Sequence, residues 1–457
     1  MTGGSILELT RDLCAFDTGV VTPGNEAFFA RVAEELPVTL HRFPSGSEFN
    51  GWLVPDTWWV EHATVSRGSE VVFDCGGHAL GVAALSQPFR GTLDLDELLA
   101  HVVTTPSLPD AFVYHCMWQY RPWEADWALS IPHRSLAVLR PGRYDVELVT
   151  RSEPGEMLVA ALELPGRSDR TIVFNAHTCH PRMANDDQAG VAILIRLFQW
   201  LAERDTHYSY RLVLGPEHLG TVFYLRDQPE EVLKRIVGGV FAEMPGTGGP
   251  LTAASTFLGA QPIDLAVANA VKHRARRSRF VPWRMGAGND ETVWEAPGYE
   301  VPFVELSRSE DILAPYREYH TSLDTPELMQ ESQLEEFFDV LLETVEILEA
   351  NAVVHRRFDG LVCLSNPRYE LYRERPDPAV KKDLPEESEK WGYLADSLLR
   401  YFDGSLTVLE IAERHDLPFV DVYEYLRRFE EKELVRMAHV AIDRTPISRA
   451  REVVPDG

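Results

Sequence analysis

The sequence predicts an α/β protein: a mixed, mostly parallel sheet sandwiched by helices, with a β-rich inserted domain and a C-terminal helical domain. Three observations predict it. Between about residues 142 and 350, short apolar runs alternate with helical stretches: TIVFNAH, RLVLGPE, GGVFAEMP and VPFVELS are separated by segments such as GVAILIRLFQWLAER. Strands that are apolar throughout are those covered on both faces of a sheet. From about residue 38 to 135 the texture changes to pieces such as WWVEHATV, EVVFDC and FVYHCMW, with Gly and Pro between them. Beyond a charged, Pro-rich stretch, RERPDPAVKKDLPEESEK, three short helical patterns close the chain.

Taken in order, ILELTRDLCAF and EAFFARVAEEL carry apolar residues at helical spacing and open the core. YDVELVTR and EMLVAALEL read as an antiparallel pair, and SQLEEFFDVLLETVEILEAN as the last core helix. The core is expected over 1–37 and 136–375, the inserted domain over 38–135, and a final domain over 385–457. WGYLADSLLRYF, LTVLEIAERHD and PFVDVYEYLRRFEEKE have the spacing of a winged helix-turn-helix. The helix that would read DNA carries Asp421, Glu424, Glu430, Glu431 and Glu433 against Arg427, Arg428 and Lys432. An acidic face repels phosphate, so contacts within the chain or with another protein, including a second copy, are expected there instead.

Composition excludes several classes. The chain has 457 residues, a net charge of −27 at pH 7, 45% hydrophobic and 25% charged residues. That length implies two or three domains, and the acidic balance argues against nucleic acid. No apolar run reaches about 18 residues, so no membrane span is expected. The start, MTGGSILELTRDLCAFDTG, lacks a basic segment followed by an apolar one, and five scattered cysteines suit a reducing compartment, so a cytoplasmic protein is expected.

The chemistry-bearing residues gather at strand ends. TIVFNAH ends at His177; NDDQAG places Asp186 and Asp187 where the next helix begins; RLVLGPEHLG ends with Glu217 and His218; GGVFAEMPG ends with Glu243; REYHTSLDTPE puts His320 in a loop before the last helix. Singly, each has a plain structural reading, as a hydrogen-bonded histidine or a helix cap. Together they fall on the edge where such sheets bind ligands. Nitrogen and carboxylate donors suit Zn²⁺, with Mn²⁺ or Co²⁺ as alternatives. More donors are present than one tetrahedral ion needs, so two ions sharing a carboxylate are expected.

This order of residues resembles the co-catalytic zinc aminopeptidases of the bacterial leucyl aminopeptidase and aminopeptidase Y type over roughly residues 142 to 350. HTSLDTPE and NDDQAG carry the match. HTCHP, PSGSEFNGWLVPDTWWV, GNDETVWEAPGYEVPFVELSR and the helical tail resemble a bacterial aminopeptidase-like branch of that family, which joins the peptidase core to a β-rich insertion and a terminal winged helix. The resemblance implies that His177, Asp186 and Glu243 hold one ion, and Asp186, His218 and His320 the other. It makes Glu217 the general base and Asp324 a partner of the ligands or a cap. The sequence departs from the family at three places. His218 stands where the family has an acidic ligand, Cys179 where it has an aspartate orienting the first histidine, and Glu243 where aspartate is commoner. His180 is a candidate to orient that ring or to bind metal itself.

The implied activity is hydrolysis of an amide or peptide bond beside a free amino group, on a small substrate. The alternatives are a same-scaffold hydrolase or cyclase acting on a non-peptide biosynthetic intermediate, and a binding protein with a degenerate site. Asp290 or Glu291 is expected either to meet a substrate ammonium group or to cap a helix. Cys179 beside His180 is not read as a nucleophile, because adjacent residues rarely bring thiol and imidazole into productive contact. The basic run KHRARRSRF reads as a solvated helix face, and Trp118, Trp123 and Trp127 as core of the insertion.

Overall fold

A computed structural model describes residues 4–311, 314–373 and 386–444. Most of the expected linker, residues 374–385, lies outside the described residues. Among those described, eight strands form one mixed sheet in the order 39–44, 156–164, 209–215, 171–177, 236–242, 303–308, 251–254, 278–281. The four central strands, Ser209–Gly215, Thr171–His177, Ile236–Ala242 and Phe303–Arg308, run parallel to one another. Every residue of these strands is buried. Hence their sequences read as continuous apolar runs.

Helices cover both faces. Ala189–Ala202, Pro262–Arg274 and Glu331–Ala350 pack in one apolar cluster with Ile6–Leu13 and Gly24–Glu35. Leu219–Arg226 belongs to the second cluster, around Val173, Val213, Phe241 and Phe303. Each fully buried Leu, Val or Phe contributes about 1.5–3 kcal/mol relative to exposure. The first helix starts at a capping box: Ser5 accepts the Glu8 N–H, and Glu8 accepts the Ser5 N–H.

The β-rich segment departs from expectation at both ends. Thr39–Pro44 pairs with Glu156–Leu164 and so belongs to the large sheet. Arg143–Glu153 does not pair with Glu156–Leu164. It lies between Thr57–Arg67 and Phe89–Asp94 in a separate four-stranded sheet. The antiparallel pair expected from YDVELVTR and EMLVAALEL is therefore absent, because Pro154 and Gly155 carry the chain from one sheet to the other. Trp127 is buried in this second body, whereas Trp123 is 64% exposed.

After the core, Ala352–Arg356 pairs with both Asp403–Thr407 and Val435–His439, and helices Glu386–Ser397, Val408–His415 and Phe419–Glu431 accompany this small sheet. The unit is bound tightly to the core. Asn269 donates to Glu413 and to the Leu417 carbonyl, and accepts the Phe419 N–H. Asp416 pairs with Lys272 of the core and, within the unit, with Lys390. The basic run at 272–280 lies at the surface, as expected of a solvated face, although the helix ends at Arg274; on that surface Arg274 pairs with Glu343, Arg276 with Glu336 and Arg277 with Glu310.

Candidate metal centre

His177 is the last residue of its strand, and Glu243 follows directly on the neighbouring one. Parallel pairing brings these ends together. The chain then turns from Met183 into Ala184–Gln188 before helix Ala189–Ala202, and Asp186 there has φ −115° and ψ 80°. That non-helical residue turns its carboxylate back over the strand ends. Asp186 Oδ1 lies 3.3 Å from His177 Nε2, and Glu243 Oε2 lies 3.5 Å from the same nitrogen.

The other oxygen of Asp186 faces a second group. His320 Nε2 is 3.2 Å from Asp186 Oδ2, His180 Nε2 is 3.7 Å from it, and the two imidazole nitrogens are 3.1 Å apart. The donor sets are therefore His177, Asp186 and Glu243 on one side and His180, Asp186 and His320 on the other, each within 4.8 Å. His218 belongs to neither group among the described residues. It begins helix Leu219–Arg226 with φ 52°, and its ring stacks on Trp52 with Nδ1 3.4 Å from Glu217 Oε1. His180, three residues after the first histidine, stands beside Asp186 and His320 where His218 was expected.

Buried groups fix these donors. His177 Nδ1 lies 3.2 Å from His180 Nδ1, its hydrogen-bond partner, and 3.3 Å from Asp187 Oδ2. Asn289 donates to Glu243 Oε2 at 3.0 Å. Asp324 accepts the Asn185 and Asp186 N–H groups at 2.8 and 2.9 Å and the Tyr316 hydroxyl at 2.7 Å. Cys179 is buried and accepts the Glu217 N–H at 3.3 Å. Asp290 and Glu291 are buried too, but neither offers a free carboxylate to a substrate, and Asp290 makes no cap bond. Asp290 accepts from the His218 N–H and from Thr221; Glu291 accepts the Asn289 N–H and faces Arg284.

The electrostatics call for cations. Among the described residues, His177 Nε2, Asp186 Oδ2, both oxygens of Asp187 and Glu243 Oε1 are buried without a hydrogen-bond partner. Burial pushes the Asp187 and Glu243 carboxyls well above the usual range, and neighbouring carboxylates add to it. Burial lowers His180 to about 4, leaving a neutral imidazole. Unpaired buried donors of these types, aimed at two common points, fit divalent metal ions of the zinc class. At Glu217 burial acts upward, yet the hydrogen bond and charge of His218 outweigh it and hold the carboxyl below its ordinary range.

Tyr114 and Tyr120 of the β-rich segment and Tyr319 of the His320 loop complete the surroundings, and no spacing pattern marked them. The Tyr114 N–H donates to the His320 carbonyl, and its ring meets His180 and His320 edge-on, with centroids 5.1 and 5.5 Å away. The Tyr120 hydroxyl lies 3.3 Å from Glu217 Oε2. Tyr319 stacks on His320 with ring centroids 3.9 Å apart.

The sheet order and the donors at its central strand ends define an α/β fold of the zinc-aminopeptidase type. A zinc aminopeptidase from Bacillus subtilis matches it with a TM-score of 0.53 and 13% identity, over 74% of this chain and 92% of that one. Residues 7–351 match the family described as domain of unknown function DUF4910, and the chain belongs to that family. A Clostridium acetobutylicum protein, named for polysaccharide biosynthesis and an aminopeptidase-like domain, is 28% identical over 77% of this chain and 79% of its own. A crystal structure of a candidate peptidase from the same species has a TM-score of 0.78 and 24% identity, covering 95% of this chain and 96% of that one.

Proposed function

We propose that the protein is a metal-dependent hydrolase of aminopeptidase type, cleaving an amide bond beside a free amino group on a small substrate. One observation carries this: the two oxygens of buried Asp186 face two separate donor sets, with the carboxylate of Glu217 close by. His177 and Glu243 with Asp186 would hold one zinc ion; His180 and His320 with Asp186 would hold the second. Bound there, the ions supply positive charge that polarises an amide carbonyl and acidifies water. Glu217 accepts the proton of the attacking water and returns it to the departing nitrogen. His218, raised to about 9 by its hydrogen bond to Glu217 against the effect of burial, stays charged and keeps that carboxylate ionised. Asn289 and Asp324 hold the donors in place.

No described helix is long and apolar enough to cross a membrane. We place the protein in the cytoplasm, a reading supported by five cysteines that are all free thiols. We read the C-terminal unit as a winged-helix-like packing module, supported by its attachment through Asn269 and Asp416.

The test begins with metal content by elemental mass spectrometry on protein purified without chelator, followed by a panel of aminoacyl p-nitroanilides. Near two ions per chain and turnover on the panel are expected. Glu217→Gln should keep its metal and lose about 10²–10⁴-fold in kcat. No bound metal after incubation with Zn²⁺, or full activity in E217Q, would overturn the reading.

A further inference from the structure

We propose that Tyr120, supplied by the β-rich segment, is a positioning residue that holds the Glu217 carboxylate in its working orientation; this rests on the hydrolase reading above. The terminal torsion of a glutamate is broad and sets no orientation by itself. In this site both oxygens are held from opposite sides. His218 Nδ1 faces Oε1 at 3.4 Å, and the Tyr120 hydroxyl faces Oε2 at 3.3 Å from a residue 97 positions away. That hydroxyl also lies 3.5 Å from Cys179 Sγ, but an ionised carboxylate is the stronger acceptor. Burial keeps the phenol protonated, so it remains a donor.

The hydroxyl is held by a fixed segment. Gln119, beside it, accepts the Val20 N–H at 3.1 Å and donates to the Tyr114 hydroxyl at 2.8 Å. Tyr114 in turn donates from that hydroxyl to the Cys179 carbonyl at 3.1 Å. The Phe112 N–H donates to Ser322 Oγ, and Val113 forms a bridge with Thr321. The stretch from Phe112 to Tyr120 is thereby pinned to the His320 loop, to the turn after His177 and to the amino-terminal segment. Tyr120 is thus placed by the core and acts back upon it.

The experiment uses Tyr120→Phe, which removes one oxygen and keeps the ring, in the full chain loaded with zinc. A drop of about 10–100-fold in kcat is expected, as for a displaced reacting group. KM should stay within about threefold, with metal content and melting temperature unchanged, because the lost bond acts through the base. In the Glu217→Gln background, followed by single turnover, Y120F should cost nothing further. Wild-type kcat in Y120F, loss of metal in it, or an equal loss in both backgrounds would overturn the role. A zinc-loaded wild type silent across the panel overturns the hydrolase reading, and this role falls with it. An active wild type unaffected by Y120F overturns the role alone.

Discussion

Asp324 shows how much a single residue outside the donor sets can determine. Its carboxylate accepts two consecutive backbone N–H groups, those of Asn185 and of Asp186 itself, together with the Tyr316 hydroxyl. It therefore fixes the one residue that faces both donor sets. Asp324→Ala would leave two buried N–H groups unpaired and free the peptide of Asp186 to rotate. Zinc affinity should fall about 10–100-fold, the usual effect of removing a group that orients a ligand, and titration with a chromophoric chelator would measure it. Unaltered affinity would show that the turn holds Asp186 without help.

At the scale of the element, the junction between the His177 strand and helix Ala189–Ala202 depends on Gly190. A Cβ there would stand 2.6 Å from the Ala242 carbonyl, with Asp187 on its other side. Gly190→Ala must push the helix start away from the Glu243 strand. An overpacking cost of about 1–3 kcal/mol is expected, read as a lower melting temperature, with lower metal content because Asp186 moves along with the helix. This element also shows what could be read from the sequence. TIVFNAH, RLVLGPE and GGVFAEMP announced both their burial and their polar ends, because strands covered on both faces must be apolar until they leave the sheet. NDDQAG marked Asp186 through its resemblance to the family's bridging-aspartate motif at the start of a helix. The choice between His180 and His218 was not legible. It depends on the backbone of His218, whose φ of 52° sends the ring toward Trp52 and Glu217. Nor could local pattern assign Arg143–Glu153 to the smaller sheet, since its partners, Thr57–Arg67 and Phe89–Asp94, come from much earlier in the chain. Tyr120 was hidden in the same way, by a contact that only the tertiary fold creates.

For the whole molecule, the C-terminal unit is joined to the core by packing and by charge. Its Val408, Ile411, Leu426 and Phe429 belong to the same apolar cluster as the core helices, so the two parts should unfold together. The charge contribution has a predictable pH dependence. Hydrogen bonds from Lys272 and Lys390 lower Asp416 from 3.8 to about 2. A lowered carboxyl stabilises the fold fully above its ordinary value and loses that contribution as pH falls through the lowered one. The docking should therefore weaken between about pH 4 and pH 2, and Asp416→Asn should remove that part of the acid dependence in melting curves. An identical acid profile in the variant would assign the attachment to packing alone.

The β-rich segment leaves and rejoins the large sheet at adjoining points. Pro44 is paired with Glu156, and the Ser45 N–H donates to the Gly155 carbonyl at 2.9 Å. Seen from the sheet, everything between these residues is a detour taken at the tip of one hairpin. The scaffold that gathers the candidate metal donors and the body that carries Tyr114 and Tyr120 to them are thus joined through that hairpin tip without a break in the pairing of the large sheet. Every strand of the large sheet keeps its neighbour across the detour, so the sheet's register is set independently of the length of chain that the detour contains.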